Sequence, residues 1–198
     1  MGLTIEYTEG QTPLDEDEKD GLLIKSISTR GELDEFEQFN IEKAIEWSIS
    51  KRWKSDYILS VKFVQELHRR MFGEVWTWAG EFRKTNKNIG VDKYQIIISL
   101  KQLIDDANYW IANHTYTEDE IAIRFKHRIV LIHCFPNGNG RHSRLMADII
   151  VNHIFKKPIF SWNKTNLNQK NSARTKYLVA IRAADNGDIK PLIEFARH

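Results

Sequence analysis

The run His133-Cys134-Phe135-Pro136-Asn137-Gly138-Asn139-Gly140-Arg141-His142-Ser143-Arg144 gathers a titratable base, two glycines, amide side chains and two arginines in one short stretch. Glycines let the backbone take positive φ and approach a ligand closely, so successive N–H groups can line an anion-binding nest. From Arg141 onward Leu145, Met146, Ile149, Ile150, His153 and Ile154 recur with helical spacing, which puts the nest at a helix N-terminus. Free N–H groups and the positive dipole end favour phosphate there. Arg141 and Arg144, three apart, project from neighbouring positions and offer planar forks to different phosphates. A polyphosphate suits this chemistry. His133, just before the loop, titrates near neutrality when unperturbed and can take a proton from an attacking hydroxyl. The plain alternative is a histidine that ends a core helix, followed by a connecting Gly-Asn-Gly turn. Base and anion groups in one loop at a helix start favour a functional site.

The elements that must position this loop read as helices. Leu33, Phe36, Ala44, Ile45 and Ile49 approximate one helical face, and Val61, Val64, Leu67, His68 and Met71 another after a Ser60 cap. Ser99 is the expected cap of a helix carrying Leu100, Leu103, Ile104, Ala107 and Ile111. Thr117 and Glu120 have capping-box spacing and open a helix through Ile121, Phe125, Ile129 and Ile132 that ends at His133. Two more helices are expected around 172–184 and 189–196, separated by the turn Asp185-Asn186-Gly187-Asp188. Between Gly80 and Ser99 the helical period fails, and the β-tolerant run Tyr94 to Ile98 predicts a short β-hairpin flap. The expected fold class is all-α, a helical bundle with that flap before the motif helices.

The chain has 198 residues, 41% of them hydrophobic, enough for one core and short for two. With 29 basic against 27 acidic side chains the overall field is close to neutral, so nucleic acid is not an expected partner. The short basic runs Lys51-Arg52-Trp53-Lys54 and Lys156-Lys157 read as solvated faces. No apolar stretch approaches the ~20 residues of a membrane span, and the acidic residues Asp15 to Glu18 stand where a signal peptide would be basic and apolar. The single Cys134 cannot form an internal disulfide, and a cytoplasmic location is the expectation.

The loop resembles the Fic family signature His-x-Phe-x-(Asp or Glu)-Gly-Asn-Gly-Arg-x-x-Arg at every fixed position except the acidic one, where Asn137 stands. Leu67 to Phe72, Trp78 to Arg83 and Tyr177 to Phe195 also look like family segments. Together with Thr29 to Leu33 the chain is similar to a Fic subgroup called mobile mystery protein B. The resemblance implies a protein adenylyltransferase: a single Fic domain over 1–198, with an N-terminal extension at 1–50 and a core at 55–198. It further implies ATP and Mg²⁺ and a target protein's Ser, Thr or Tyr hydroxyl, deprotonated by His133. By position Asn139 and Arg141 would bind the α- and β-phosphates, Arg144 the γ-phosphate, and backbone groups at Gly138 and Gly140 would complete the anion hole. Asn137 would keep an oxygen ligand for the metal but lose its negative charge. The flap, represented by Lys84, Thr85, Ile96 and Ile97, would hold the target as an added strand.

Many Fic proteins carry an inhibitory helix of pattern (Ser/Thr)-x-x-x-Glu-(Gly/Asn), to which Ser28 and Glu32 partly correspond; Leu33 breaks the pattern, and Thr29 to Glu32 fits an ordinary capping box equally well. If Glu32 is no clamp on Arg144, an antitoxin-like partner protein is the expected source of control. His127, His133 and His142 lack zinc spacing, Cys134 has no acidifying partner, and the six tryptophans read as core, with one or two candidates for an adenine contact. Two further functions stay open: a transferase that binds its phosphate donor in the reverse sense, and a silent nucleotide-sensing module.

Overall fold

The computed structural model describes residues 13–162 and 172–198. Among these the regular structure is helical: α1 (Glu16–Lys19), α2 (Arg30–Ile49), α3 (Ser55–Ile58), α4 (Val61–Phe72), α5 (Ile96–Ala112), α6 (Glu118–Ile132), α7 (Asn139–Ile149), α8 (Ser172–Asp185) and α9 (Lys190–Arg197). Helix α6 packs against α5 and α7, α2 against α4, and α8 against α9. The motif loop therefore lies between two helices of the central layer. No described helix is long and apolar enough to cross a membrane.

Local chemistry starts these helices where the sequence placed them. The Ser60 hydroxyl accepts from Phe63 N–H at 3.1 Å and Thr117 from Glu120 N–H at 3.3 Å, each satisfying a first-turn donor that has no partner within the helix. Phe63, Val64, Leu67 and Met71 of α4 are completely buried, as their spacing predicts. Immediately after α7, residues Ile150–Ile154 widen to a π-turn.

Two expectations fail. Helix α2 exists, but Phe36, Ile45 and Ile49 are exposed while Leu33, Glu37, Asn40, Ile41, Ala44 and Ser48 are buried. The helix turns a partly polar face inward because those polar groups have partners: Asn40 Oδ1 accepts from Glu74 N–H at 3.2 Å, the Ser48 hydroxyl donates to the Ile45 carbonyl at 2.7 Å, and Glu37 is bonded to Trp76 and Arg141. The expected β-hairpin is also absent: residues 84–92 form an irregular loop, Lys93–Gln95 a 3₁₀ turn, and the β-branched run Ile96-Ile97-Ile98 opens α5. Ser99 is accordingly inside α5, and Asp92 caps the turn instead, accepting from Tyr94 N–H at 2.9 Å. Burial of Ile96, Leu100, Leu103, Ile104 and Ala107 on one helical face outweighs the strand preference of the three isoleucines.

Helix α2 also decides the placement of Glu32. Its exposed carboxylate accepts from Ser28 N–H at 2.9 Å and Thr29 N–H at 3.0 Å, while Thr29 Oγ1 accepts from Glu32 N–H at 3.3 Å. These hydrogen bonds, led by the Ser28 and Thr29 backbone groups, hold its pKa below the ordinary glutamate value. The reciprocal capping box occupies the carboxylate that a clamp on Arg144 would need. Glu32→Gly is thus expected to lower the melting temperature, through loss of half of the capping box, without raising transferase activity. Thermal unfolding and self-labelling of the same preparation check both halves.

Candidate active site

Helix α6 ends at His133, whose φ of 57° is left-handed, so the chain reverses and the ring is presented beside the following loop. The loop closes on itself through Asn139: its Oδ1 accepts from Phe135 N–H at 3.0 Å and its Nδ2 donates to the Phe135 carbonyl at 2.8 Å. Asn139 is 5% exposed. Its amide shapes the loop through these two bonds while the residue also lines the cavity above. Gly138 N-caps α7 at φ 77°.

His68 fixes the loop from below. Its Nδ1 accepts from Gly80 N–H at 3.0 Å, which leaves Nε2 to donate to the Asn137 carbonyl, also at 3.0 Å. The ring stacks on Phe135 with centroids 3.7 Å apart. Burial, with the nearby His142 next, keeps His68 neutral. This relay was not singled out from the sequence, where His68 counted only as one member of an apolar face.

A cavity of about 330 Å³ opens over the loop. His133, Asn137, Gly138, Asn139, Gly140, Arg141 and Arg144 line it, together with Ile89 and Gly90 from the 84–92 loop and Val130 and Leu131 from α6. Thus the base and both arginines predicted from the sequence face one space. Arg30, Arg174, Tyr177, Leu178, Ile181 and Asp185 line it as well. Of these, Arg30, Arg174 and Asp185 carry no local signal in the sequence; their spacing along α2 and α8 becomes meaningful only once those helices are placed. No tryptophan is among the residues that line this cavity.

Burial, followed by the positive charge of Arg83, pushes the His133 pKa down to about 4; a hydrogen bond with the Val130 backbone pulls the other way. The imidazole is neutral at physiological pH and able to accept a proton. Cys134 is buried and its thiol is pushed up to about 12, which leaves it unreactive. His142 Nε2 donates to the Val64 carbonyl at 3.0 Å within the core, and His127 Nε2 lies 2.8 Å from Asp185.

The neutral buried histidines set an acid limit on stability. His133 and His142 are each pushed to about 4, and His68 lies well below its ordinary value of 6.5. As pH falls from 6.5 toward 4 the unfolded chain binds protons that the folded chain refuses, so stability is lost across that window. Asp148, pushed up to about 7 by burial, and Asp34, also raised by burial, have the opposite sign and offset part of the loss from the three histidines. The melting temperature is expected to drop by several degrees between pH 7 and pH 5, measured by circular dichroism.

The loop 84–92 rests on the base through Arg83. Its Nε donates to the His133 carbonyl at 2.6 Å, Nη1 to Thr85 at 2.8 Å, and Nη2 to Val91. Arg83 N–H also donates to the Cys134 carbonyl at 2.9 Å. Lys87 is tied to Asp15 at 2.8 Å and Glu18 at 2.6 Å, and Thr85 donates to Asp15 at 2.8 Å. Of the residues expected to dock a target, Lys84 and Ile97 are exposed, Thr85 is engaged by Asp15, and Ile96 is core, 1% exposed, because it belongs to α5.

The described residues do not offer a magnesium cage. Asn137 Oδ1 accepts from Gly138 N–H at 2.6 Å, and no cluster of three His, Cys, Asp or Glu side chains suited to a metal occurs among the described residues. One neutral, already engaged oxygen does not fit a protein-held Mg²⁺.

The Fic/DOC family profile matches residues 58–151, the span from the end of α3 through α7. "Protein adenylyltransferase fic-1" of Caenorhabditis elegans is 28% identical over 149 residues, 71% of this chain and 27% of the relative. "Protein adenylyltransferase Fic" of Culex quinquefasciatus is 30% identical over 146 residues, 72% of this chain and 27% of the relative. The chain thus spans about a quarter of the length of these curated relatives. Among solved structures, Fic-1 (residues 134–508) from C. elegans superposes with a TM-score of 0.64 at 23% identity, covering 80% of this chain and 46% of that one. BepC of Bartonella tribocorum, solved with bound AMPPNP, gives 0.66 at 16% identity, covering 92% and 97%. The neutral histidine and the glycine-arginine loop that the cavity joins, on a fold shared with these proteins, lie in a segment, residues 58–151, that is a domain of the Fic/DOC family.

Proposed function

We propose that this protein transfers AMP from ATP to a Ser, Thr or Tyr hydroxyl of a target protein, with His133 as general base. The observation that carries the reading is the single cavity shared by His133, the glycine loop, Arg141 and Arg144. His133 takes the hydroxyl proton as the hydroxyl oxygen bonds to the α-phosphorus; the bond from that phosphorus to the α,β-bridging oxygen breaks, and pyrophosphate leaves. The Gly140 N–H, at the open first turn of α7, and the two guanidinium groups hold the phosphates and balance the charge that builds on them, while Gly138 shapes the turn that brings them together. Mg²⁺ belongs to the substrate, entering on the ATP phosphates.

The names of the curated relatives support AMP as the transferred group, and AMPPNP in BepC supports a nucleotide in a fold of this kind. The exposed part of the 84–97 segment, beside the base, is the docking surface for the target. With Glu32 committed to its cap, control by an external protein of antitoxin type is the fitting arrangement. Incubation with ATP labelled at the α-phosphate should label protein in a wild-type reaction and not with His133→Ala. Label from the γ-position would establish the reverse donor orientation instead, and nucleotide binding without any label would establish a sensing module; either sinks the adenylylation reading.

A further inference from the structure

Helix α2 lies outside the segment that matches the family, yet it buries a carboxylate against the anion loop. Glu37 is 3% exposed. Its Oε1 accepts from Trp76 Nε1 at 2.6 Å and its Oε2 accepts from Arg141 Nη1 at 2.5 Å, so both oxygens are committed. The Arg141 guanidinium lies 4.8 Å from the centre of the Phe72 ring, on its face. Phe72 is 1% exposed and fixed in the core. Between the ring and the carboxylate the guanidinium has little freedom to turn. Glu37 takes one of its nitrogens; a guanidinium has five N–H donors, and the remainder serve the cavity that Arg141 lines.

We propose that Glu37 is a positioning residue for Arg141: it grips one edge of the guanidinium so that the rest is presented, pre-aligned, to nucleotide phosphates. The inference rests on the reading of the cavity as a nucleotide site. The opposite role, a carboxylate that competes with phosphate for the same arginine, is disfavoured by burial. Releasing Arg141 would leave Glu37 as an unpaired anion inside the protein, so the pair persists when nucleotide binds. Aligning the arginine in advance also removes the ordering cost of a long side chain from the binding step. Burial of Glu37, at a position where a helix facing a core ordinarily carries an aliphatic residue, is explained by the same role.

The test compares wild type, Glu37→Gln, Glu37→Asp, Arg141→Ala and the double variant Glu37→Gln/Arg141→Ala by calorimetric binding of ATP, inorganic pyrophosphate and adenosine, with melting temperatures on each preparation. Glutamine keeps an acceptor for Trp76, and Trp76→Phe serves as a second perturbation of the same carboxylate. Glu37→Gln should weaken ATP and pyrophosphate by about tenfold, the loss expected when a charge-assisted contact is misaligned, and leave adenosine unchanged. Glu37→Asp should recover part of the affinity. In the Arg141→Ala background the Glu37 change should have no further effect, a coupling that general destabilisation would not produce. Tighter ATP binding by Glu37→Gln, or an equal loss in both backgrounds, overturns the proposal. If the coupling is found but wild type transfers no AMP, positioning stands and the adenylylation reading falls; if wild type binds neither ATP nor pyrophosphate, both fall.

Discussion

His133→Ala is expected to reduce AMP transfer by roughly 10²–10⁴-fold, the usual contribution of a positioned general base, while nucleotide affinity changes by no more than about twofold. The expectation follows from where the side chain stands. It caps α6 on the cavity side, 5% exposed, and the phosphate grip comes from other residues, so removing the ring removes proton transfer and little else. The pH profile should carry the same signature. With a pKa pushed to about 4, His133 in the free protein is a ready but weak base through the neutral range. Phosphates brought into the cavity add negative charge, which favours the imidazolium and raises that pKa. The acid limb of kcat/KM, which reports the free enzyme, is therefore expected near pH 4, and the limb of kcat at a higher pH. Coincident limbs, or a His133→Ala protein that keeps more than about a tenth of wild-type turnover, would remove the histidine from that role.

Gly138→Ala is expected to abolish transfer and to lower the melting temperature by about 5–10 °C. Two costs add. At φ +77° a side chain strains the backbone by roughly 1–3 kcal/mol. A Cβ at that position would also lie 2.6 Å from two ring carbons of Phe72, a residue too buried to yield. The loop must move, and the donors that line the cavity move with it. Gly140→Ala is the control: a Cβ there meets nothing within 4 Å and the position is helical, so stability should hold or rise slightly. Equal melting temperatures for the Gly138 variant and wild type would contradict this account.

The site was largely legible in the sequence because its main parts are consecutive. Residues 133–144 carry the base, the nest and the arginines, and the helix period on both sides announced their placement. The bonds of Asn139 to Phe135 were not legible for a local reason: an asparagine in such a loop can reach outward to a ligand or inward to the backbone, and its spacing is the same in both cases. Glu37 was missed for a distant one. A glutamate on an amphipathic helix ordinarily faces water, and the partners that bury it, Trp76 and Arg141, stand 39 and 104 residues away. The flap failed because Tyr94 to Ile98 has strand propensity but only one of its isoleucines, Ile96, was wanted by the core, and a helix delivers that one while Ile97 and Ile98 stay exposed.

Arg83 joins the carbonyls of His133, Thr85 and Val91 through one rigid planar group. The loop 84–92, if it docks the target as proposed, and His133 would thereby form a gauge of set length. A peptide laid along that loop would be read by position, the hydroxyl at the right offset being modified whatever its neighbours, so selectivity toward targets would come from which chains can be held extended there, not from a consensus sequence.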